Sequence, residues 1–156
     1  MGMVYKNYKI GEIAARMLET SLDLYFDGGD GFAIIHLAAN AEEVLAGFIQ
    51  KNKTKENISE TICTARDKAI AALKEIHAIH GQERSKDEIG IYLNFVRNKT
   101  KHRGAKSDSD EIAVCLELEV EFAISSAIEN YVLYFKDPTE KMLRYINRVS
   151  LHRDDS

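Results

Sequence analysis

The sequence predicts an all-α protein, an antiparallel bundle of five or six helices joined by short loops. Three observations predict it. A single proline among 156 residues leaves long helices uninterrupted. Apolar residues recur at helical rather than alternating spacing, and no strand pattern of useful length is present. Capping signals stand where several of these runs begin. Hydrophobic residues make up 45% and charged residues 29%, the balance of a globular chain with a real core. The length suits one domain, expected over residues 1–150 with a frayed tail over 151–156.

The first helix runs from about Lys9 to Phe26, with Ile10, Ile13, Ala14, Met17, Leu18, Leu22 and Tyr25 on its apolar stripe. Asp27-Gly28-Gly29-Asp30-Gly31 breaks it, because three glycines in four positions do not hold a helix cheaply. A second helix spans Phe32 to about Lys51, apolar on nearly every face, and the polar run from Lys51 to Glu56 ends it. Asn57 with Glu60 forms a capping box for a third helix to about His80, where Gly81 stops it. Ser85 with Glu88 repeats the box and opens a fourth, carrying Ile89, Leu93 and Val96. After a loop at residues 104–110, one long helix is expected from Glu111 to Phe135, with Ile112, Cys115, Phe122, Ser126 and Tyr131 turned inward. Asp137-Pro138 reads as an N-cap and first-turn proline for a last helix through Met142, Ile146 and Val149.

The formal charge is −4, from 21 Lys and Arg against 25 Asp and Glu, which excludes a chain that coats nucleic acid or anionic membrane by bulk charge. The N-terminal segment lacks the apolar core of a secretory signal, and no apolar run approaches the ~18–20 residues of a membrane span. The expectation is a cytoplasmic protein with no membrane partner. Cys63 and Cys115 form no CxxC pair and no zinc spacing; both are expected as buried free thiols on helices.

Two features depart from a plain bundle. On the second helix His36, Asn40 and Glu43 fall within ~60° of one another, a polar stripe on an otherwise apolar rod. Such a stripe is either an exposed edge or the lining of a pocket that could hold a basic group. The second feature is Arg97-Asn98-Lys99-Thr100-Lys101-His102-Arg103-Gly104-Ala105-Lys106, where five of ten residues are Lys or Arg and none is acidic. The remaining chain carries 16 basic against 25 acidic residues. A local basic knot in an acidic protein is a phosphate site within a Debye length, ~8–10 Å, or else a solvated helix end favoured by the dipole. The imidazole of His102 can move a proton near neutrality, and the guanidinium of Arg97 can hold a phosphate oxygen. Positions five apart on one helix differ by ~140°, so the two meet one phosphate only if the helix ends between them or two copies meet.

Arg97-Asn98-Lys99-Thr100-Lys101-His102 resembles the signature of the HEPN family: Arg, a polar residue, three to five further residues, then His. The helix Ala33-Ile34-Ile35-His36-Leu37-Ala38-Ala39-Asn40-Ala41-Glu42-Glu43-Val44-Leu45, followed later by Leu93-Asn94-Phe95-Val96-Arg97-Asn98, is similar to a bacterial HEPN-like group. The resemblance covers roughly residues 10–150 in helix order. It implies a helical bundle that homodimerises around a composite cleft and, where active, cleaves RNA without a metal through attack of the ribose 2′-OH. On that pattern His102 is the acid/base, Arg97 the transition-state clamp and Asn98 a phosphate ligand, with Lys99, Lys101, Arg103 and Lys106 binding RNA and His36, Asn40 and Glu43 supporting the site. Glu43 or its neighbour would hold Arg97. Such proteins act as toxins with a cognate antitoxin, or as defence or stress effectors; others are non-catalytic modules that bind RNA, a nucleotide or a partner protein.

Competing chemistries find less support. A di-iron bundle needs a Glu-x-x-His motif on each of two helices, and the chain has none. His77 and His80 close the third helix, where histidines also favour the dipole, and no cofactor or metal is expected. Residues 27–31 lack the Lys-Ser/Thr of a P-loop. No strand–turn–helix elbow presents a serine. Tyr131, Tyr134 and Phe135 read as core or as a dimer face, core being the better fit.

Overall fold

The computed structural model describes residues 3–56, 63–101 and 111–154. Seven helices stand among them: α1 Ile10–Phe26, α2 Gly31–Glu56, α3 Ala65–Ile79, α4 Lys86–Leu93, α5 Phe95–Lys101, α6 Leu116–Phe135 and α7 Glu140–Asp154. The all-α bundle is as the sequence predicts. The expected fourth helix is two pieces, because the Asn94 amide closes α4 on Gly90 and its carbonyl restarts the chain by accepting from Asn98 N at 2.8 Å.

The core is the seam between α1, α2 and α6. Leu18, Leu22, Ile35, Ala38, Ala41, Leu45, Ile124 and Ala127 are buried there, and Met142 and Tyr145 of α7 complete it. Burying a leucine or isoleucine contributes ~1.5–3 kcal/mol, so this seam carries much of the fold. Alanines at 38, 41 and 127 let the backbones approach.

Contacts between helices fix the directions. Gly31 meets Leu116, Glu42 meets Asn130 and Phe48 stacks near Tyr134, so α2 and α6 run in the same direction. Gly11 meets Tyr134, so α1 runs opposite to both. Each hairpin, α1–α2 and α6–α7, is antiparallel, and the crossover through α3, α4 and α5 carries the chain back to start α6 beside the start of α2. A Cβ at Gly31 would lie 2.8 Å from the Leu116 side chain, so any larger residue there would have to displace that leucine.

Several boundaries differ from expectation. Asp30 caps α2 by accepting from Ala33 N at 2.8 Å, and the helix passes through the polar run to Glu56 rather than ending at Lys51. The Asn57–Glu60 box lies outside the described residues. α3 instead opens on a second box: Thr64 Oγ1 accepts from Asp67 N at 3.2 Å, while Asp67 accepts from Thr64 N. Its Ile76 is exposed. The Ser85–Glu88 box forms as the sequence predicts. Residues 111–115 are not helical. Ile112, Val114 and Leu116 pack against the core while Glu111, Ala113 and Cys115 face out, a period of two in place of 3.6.

That alternation explains Cys115, which is exposed; Cys63, just before α3, is exposed too, so neither thiol is buried or within a helix. Phe122 also lies at the surface, 36% exposed. α7 opens at Glu140, two residues after Pro138, with the Thr139 hydroxyl accepting from Met142 N at 3.4 Å and donating to Glu19. It is pinned to α1 by Lys141, which pairs with Asp23 at 2.6 Å and Glu19 at 3.4 Å, and it continues to Asp154, into the segment expected to fray. The stretch Gly31–Asn52 is long and apolar enough to cross a membrane by length and composition, contrary to the sequence reading. Its apolar faces serve the core instead, where Ile34, Ile35, Ala38, Ala41, Leu45 and Ile49 are buried. Phe135 packs against Tyr131 with a tilted ring and against Tyr134 edge-on, all three half-buried against that core.

Leu45→Ala, at a site with no exposure, is expected to cost roughly 3 kcal/mol in denaturant unfolding, whereas Leu118→Ala, 64% exposed, should stay within about 0.5 kcal/mol.

Candidate functional site

The crossover makes a pocket. Its walls are Ile35, Ala39 and Glu42 of α2, Arg66 of α3, Leu93 and Asn94 at the α4–α5 break, Val96 and Arg97 of α5, and Glu119, Phe122, Ala123 and Ser126 of α6. The cavity volume is about 40 Å³, room for a few water-sized groups. Apolar side chains from three helices leave a low-dielectric lining into which two arginines and two glutamates project.

Each arginine is held. Arg97 pairs with Glu43, where the sequence reading expected Glu43 or its neighbour; the arginine side chain is 11% exposed and the glutamate side chain 61%. Arg66 Nη2 donates to the Gly90 carbonyl at 3.3 Å, and with the Asn94 carboxamide assigned so that its oxygen faces the guanidinium, both terminal nitrogens donate to that oxygen at 2.7 Å. A Cβ at Gly90 would sit 3.1 Å from that Nη2, so the glycine makes room for the guanidinium. Asn94 therefore breaks the helix and orients a cation with the same residue.

Glu42 is the buried charge of the site. Asn130, with no exposure, donates through Nδ2 to the Glu42 carboxylate at 3.1 Å and to its carbonyl at 3.2 Å. The Asn130 oxygen accepts from Ala65 N at 2.9 Å, one of the first-turn amides that a helix leaves without an internal partner. One carboxamide thus ties α2, α3 and α6 together. Burial pushes the Glu42 carboxyl above its ordinary value; Arg66, the Asn130 hydrogen bond and Arg97 pull it back, and Glu43 adds to the rise. Glu119 is raised by burial.

The sequence-predicted residues divide. Arg97 and Glu43 are brought together. His36 and Asn40 are half-buried on α2 but do not line the pocket, whose α2 face is Ile35, Ala39 and Glu42, one step round the helix. Asn98 is exposed on α5 and Lys99 half-buried. The Lys101 side chain, His102, Arg103 and Lys106 lie outside the described residues. Sequence reasoning missed Arg66, Asn94, Glu119 and Asn130. Asn130 carried a signal, a carboxamide in register with Ala123, Ala127 and Ile124 on an apolar helix. Arg66 and Glu119 carried none, since charges near helix starts are commonplace. Among the described residues no group of three metal-ligating side chains gathers.

Comparison of the chain with protein-family models, with curated proteins and with solved structures gave no match.

A carboxyl raised on folding binds its proton more tightly in the folded state. The stability it contributes is full below its unfolded value and is lost as pH rises through the folded one. Glu42→Gln keeps an oxygen for Asn130 and removes that titration. Its unfolding free energy should match or exceed that of the parent at pH 8, and the difference should shrink toward pH 4; a variant less stable at pH 8 would show the Arg66 and Arg97 attractions to dominate.

Proposed function

We propose that this protein is a HEPN-like, metal-independent endoribonuclease that works as a homodimer, with Arg97, Asn98 and His102 as its reacting set. The observation that carries the reading is the placement of Arg97. Its guanidinium stands at a pocket between α2, α5 and α6, fixed by the Glu43 carboxylate, so its fork is oriented before a substrate arrives. The basic residues Lys99, Lys101, Arg103 and Lys106 draw the RNA backbone.

In this reading a base takes the proton of the ribose 2′-OH, and the oxygen attacks the adjacent phosphorus. The bond to the 5′-oxygen breaks and that oxygen receives a proton, leaving a 2′,3′-cyclic phosphate and a 5′-hydroxyl. His102 moves the proton, Arg97 stabilises charge on the non-bridging oxygens, and Asn98 hydrogen-bonds the phosphate. α5 is unbroken from Phe95 to Lys101, leaving no bend between Arg97 and the residue preceding His102. That supports a composite site in which Arg97 of one copy meets His102 of the other. The physiological setting is the cytoplasm, as a toxin, defence or stress effector with a protein partner that restrains it.

A second reading, a non-catalytic module that binds RNA, a nucleotide or a protein, is favoured by the same ion pair: an arginine only 11% exposed and matched by a carboxylate has less charge to offer a phosphate.

Purified protein incubated with total cellular RNA in EDTA should yield fragments ending in 2′,3′-cyclic phosphate, and His102→Ala should lower the rate about 100-fold or more. RNA bound with steep salt dependence, uncut and indifferent to His102→Ala, selects the module.

A further inference from the structure

Two arginines in the middle of α7 are held by rings rather than by carboxylates. Lys141, at the start of that helix, is taken up by Asp23 and Glu19 of α1. Arg144 and Arg148 make no ion pair or hydrogen bond with a described residue. They lie instead on aromatic rings at the end of α1. The Arg144 guanidinium carbon is 4.1 Å from the centre of the Phe26 ring, and that of Arg148 is 5.3 Å from the centre of the Tyr25 ring. The rings are fixed in turn: Tyr25 meets Phe26 edge-on at 5.5 Å and the buried Tyr145 at 5.0 Å. Stacking occupies one face of a guanidinium and leaves its N–H edge open. Both side chains are exposed, so those donors are within reach of a ligand. With Asn147 between them, and with Glu140, Leu143 and Leu151, the arginines line an open recess of about 540 Å³. The pocket at α5 encloses about 40 Å³, so only the α7 surface has room for a run of nucleotide units.

We propose that Arg144, Asn147 and Arg148 form a second backbone-binding site for single-stranded RNA, each arginine holding one of two consecutive phosphates. The proposal rests on the nuclease reading for RNA as the ligand, and it adds a contact remote from Arg97 and the basic run that follows it. A planar fork takes two oxygens of one phosphate. A ring beneath the fork fixes it before the ligand arrives, so less rotamer freedom is lost on binding. Side chains at i and i+4 stand ~6 Å apart along the axis, the scale on which phosphates repeat along an extended strand. The Asn147 amide supplies a further donor between them. An anionic bilayer fits less well, because it attracts a helix through many cations beside a broad apolar face. Here the apolar side of α7 is used by the core, with Met142 and Tyr145 buried.

The test measures binding of a short fluorescent 2′-O-methyl oligouridylate to the full chain in EDTA over a range of salt. The methyl groups block attack by the 2′-oxygen, so binding is read apart from cleavage. Arg144→Ala combined with Arg148→Ala should weaken binding about tenfold or more. It should also lower the slope of log affinity against log salt by about 1.4, from two phosphates at ~0.7 each. Arg144→Lys combined with Arg148→Lys keeps the charge, loses the fork, and should stay several-fold weaker than the parent. Arg16→Ala removes the same charge from the first half of α1, where that arginine lies on the Tyr8 ring, and should bind as the parent does. Circular dichroism checks that each variant is folded; Arg148→Ala alone, with half the change in slope, carries the test if the double variant is not. Unchanged binding by the double alanine variant, parental binding by the lysine variant, or an equal loss with Arg16→Ala overturns the site. Capture by phosphatidylserine vesicles through the two arginines, without RNA binding, overturns it too. RNA cutting that persists beside unchanged binding overturns the site and leaves the nuclease standing. Weakened binding in a chain that cuts no RNA supports the site and removes the nuclease.

Discussion

A single buried carboxamide holds this architecture in register. Asn130 has no exposure and uses both ends of its amide, one on Glu42 of α2 and the other on the first amide of α3. Each contact answers a cost the fold would otherwise carry. A buried carboxylate without donors and a helix start without acceptors are each penalised by ~1–3 kcal/mol or more. Satisfying them together makes the position of α3 conditional on the pairing of α2 with α6. The hydrophobic seam alone would allow α3 to slide, since Ala65 and Ile70 are its only fully buried apolar residues among those described.

The consequence for the site follows from the chain path. Because α2 and α6 run in the same direction, the connection between them has to traverse the length of the bundle, and α3, α4 and α5 are that traverse. Arg66 and Arg97 ride on it. They reach the pocket because α3 is anchored through Ala65 and because Asn94 interrupts the helix where Arg66 needs a carboxamide oxygen. Glu42 then sits between two guanidinium groups as a buried acid whose charge is tolerated only through Asn130 and those arginines. Stability and electrostatics are here one construction. A change at α6 position 130 would reach Arg66 without touching it.

Much of the fold was legible in the residues. Single-proline composition, the glycine break at 27–31 and the Ser85–Glu88 box located helices that the structure contains. That Arg97 is held by Glu43 or its neighbour was legible through the resemblance of its motif, and the structure pairs it with Glu43. What failed did so for identifiable reasons. Residues 111–115 alternate over too few positions for a period of two to stand out from a helical run, so an extended segment passed for helix and Cys115 for an inner residue. Thr64 and Asp67 form a capping box no better in sequence than Asn57 and Glu60. The α2 face that lines the pocket is offset by one residue from the stripe that polarity picked out. Arg66, Glu119 and Ser126 acquire meaning only from the crossover, which brings residues more than 50 positions apart to one wall, and no local pattern encodes that.

The most direct test of this construction is native-state hydrogen exchange at the Ala65 amide. First-turn amides of a helix lack intrahelical acceptors and exchange quickly unless a side chain holds them. The Asn130 contact predicts that Ala65 exchanges roughly 100-fold or more slowly than the exposed amides of Glu83 and Arg84, and that Asn130→Leu abolishes the protection while the amides of α1 keep theirs. Exchange of Ala65 at the rate of those exposed amides in the unaltered protein would contradict the account.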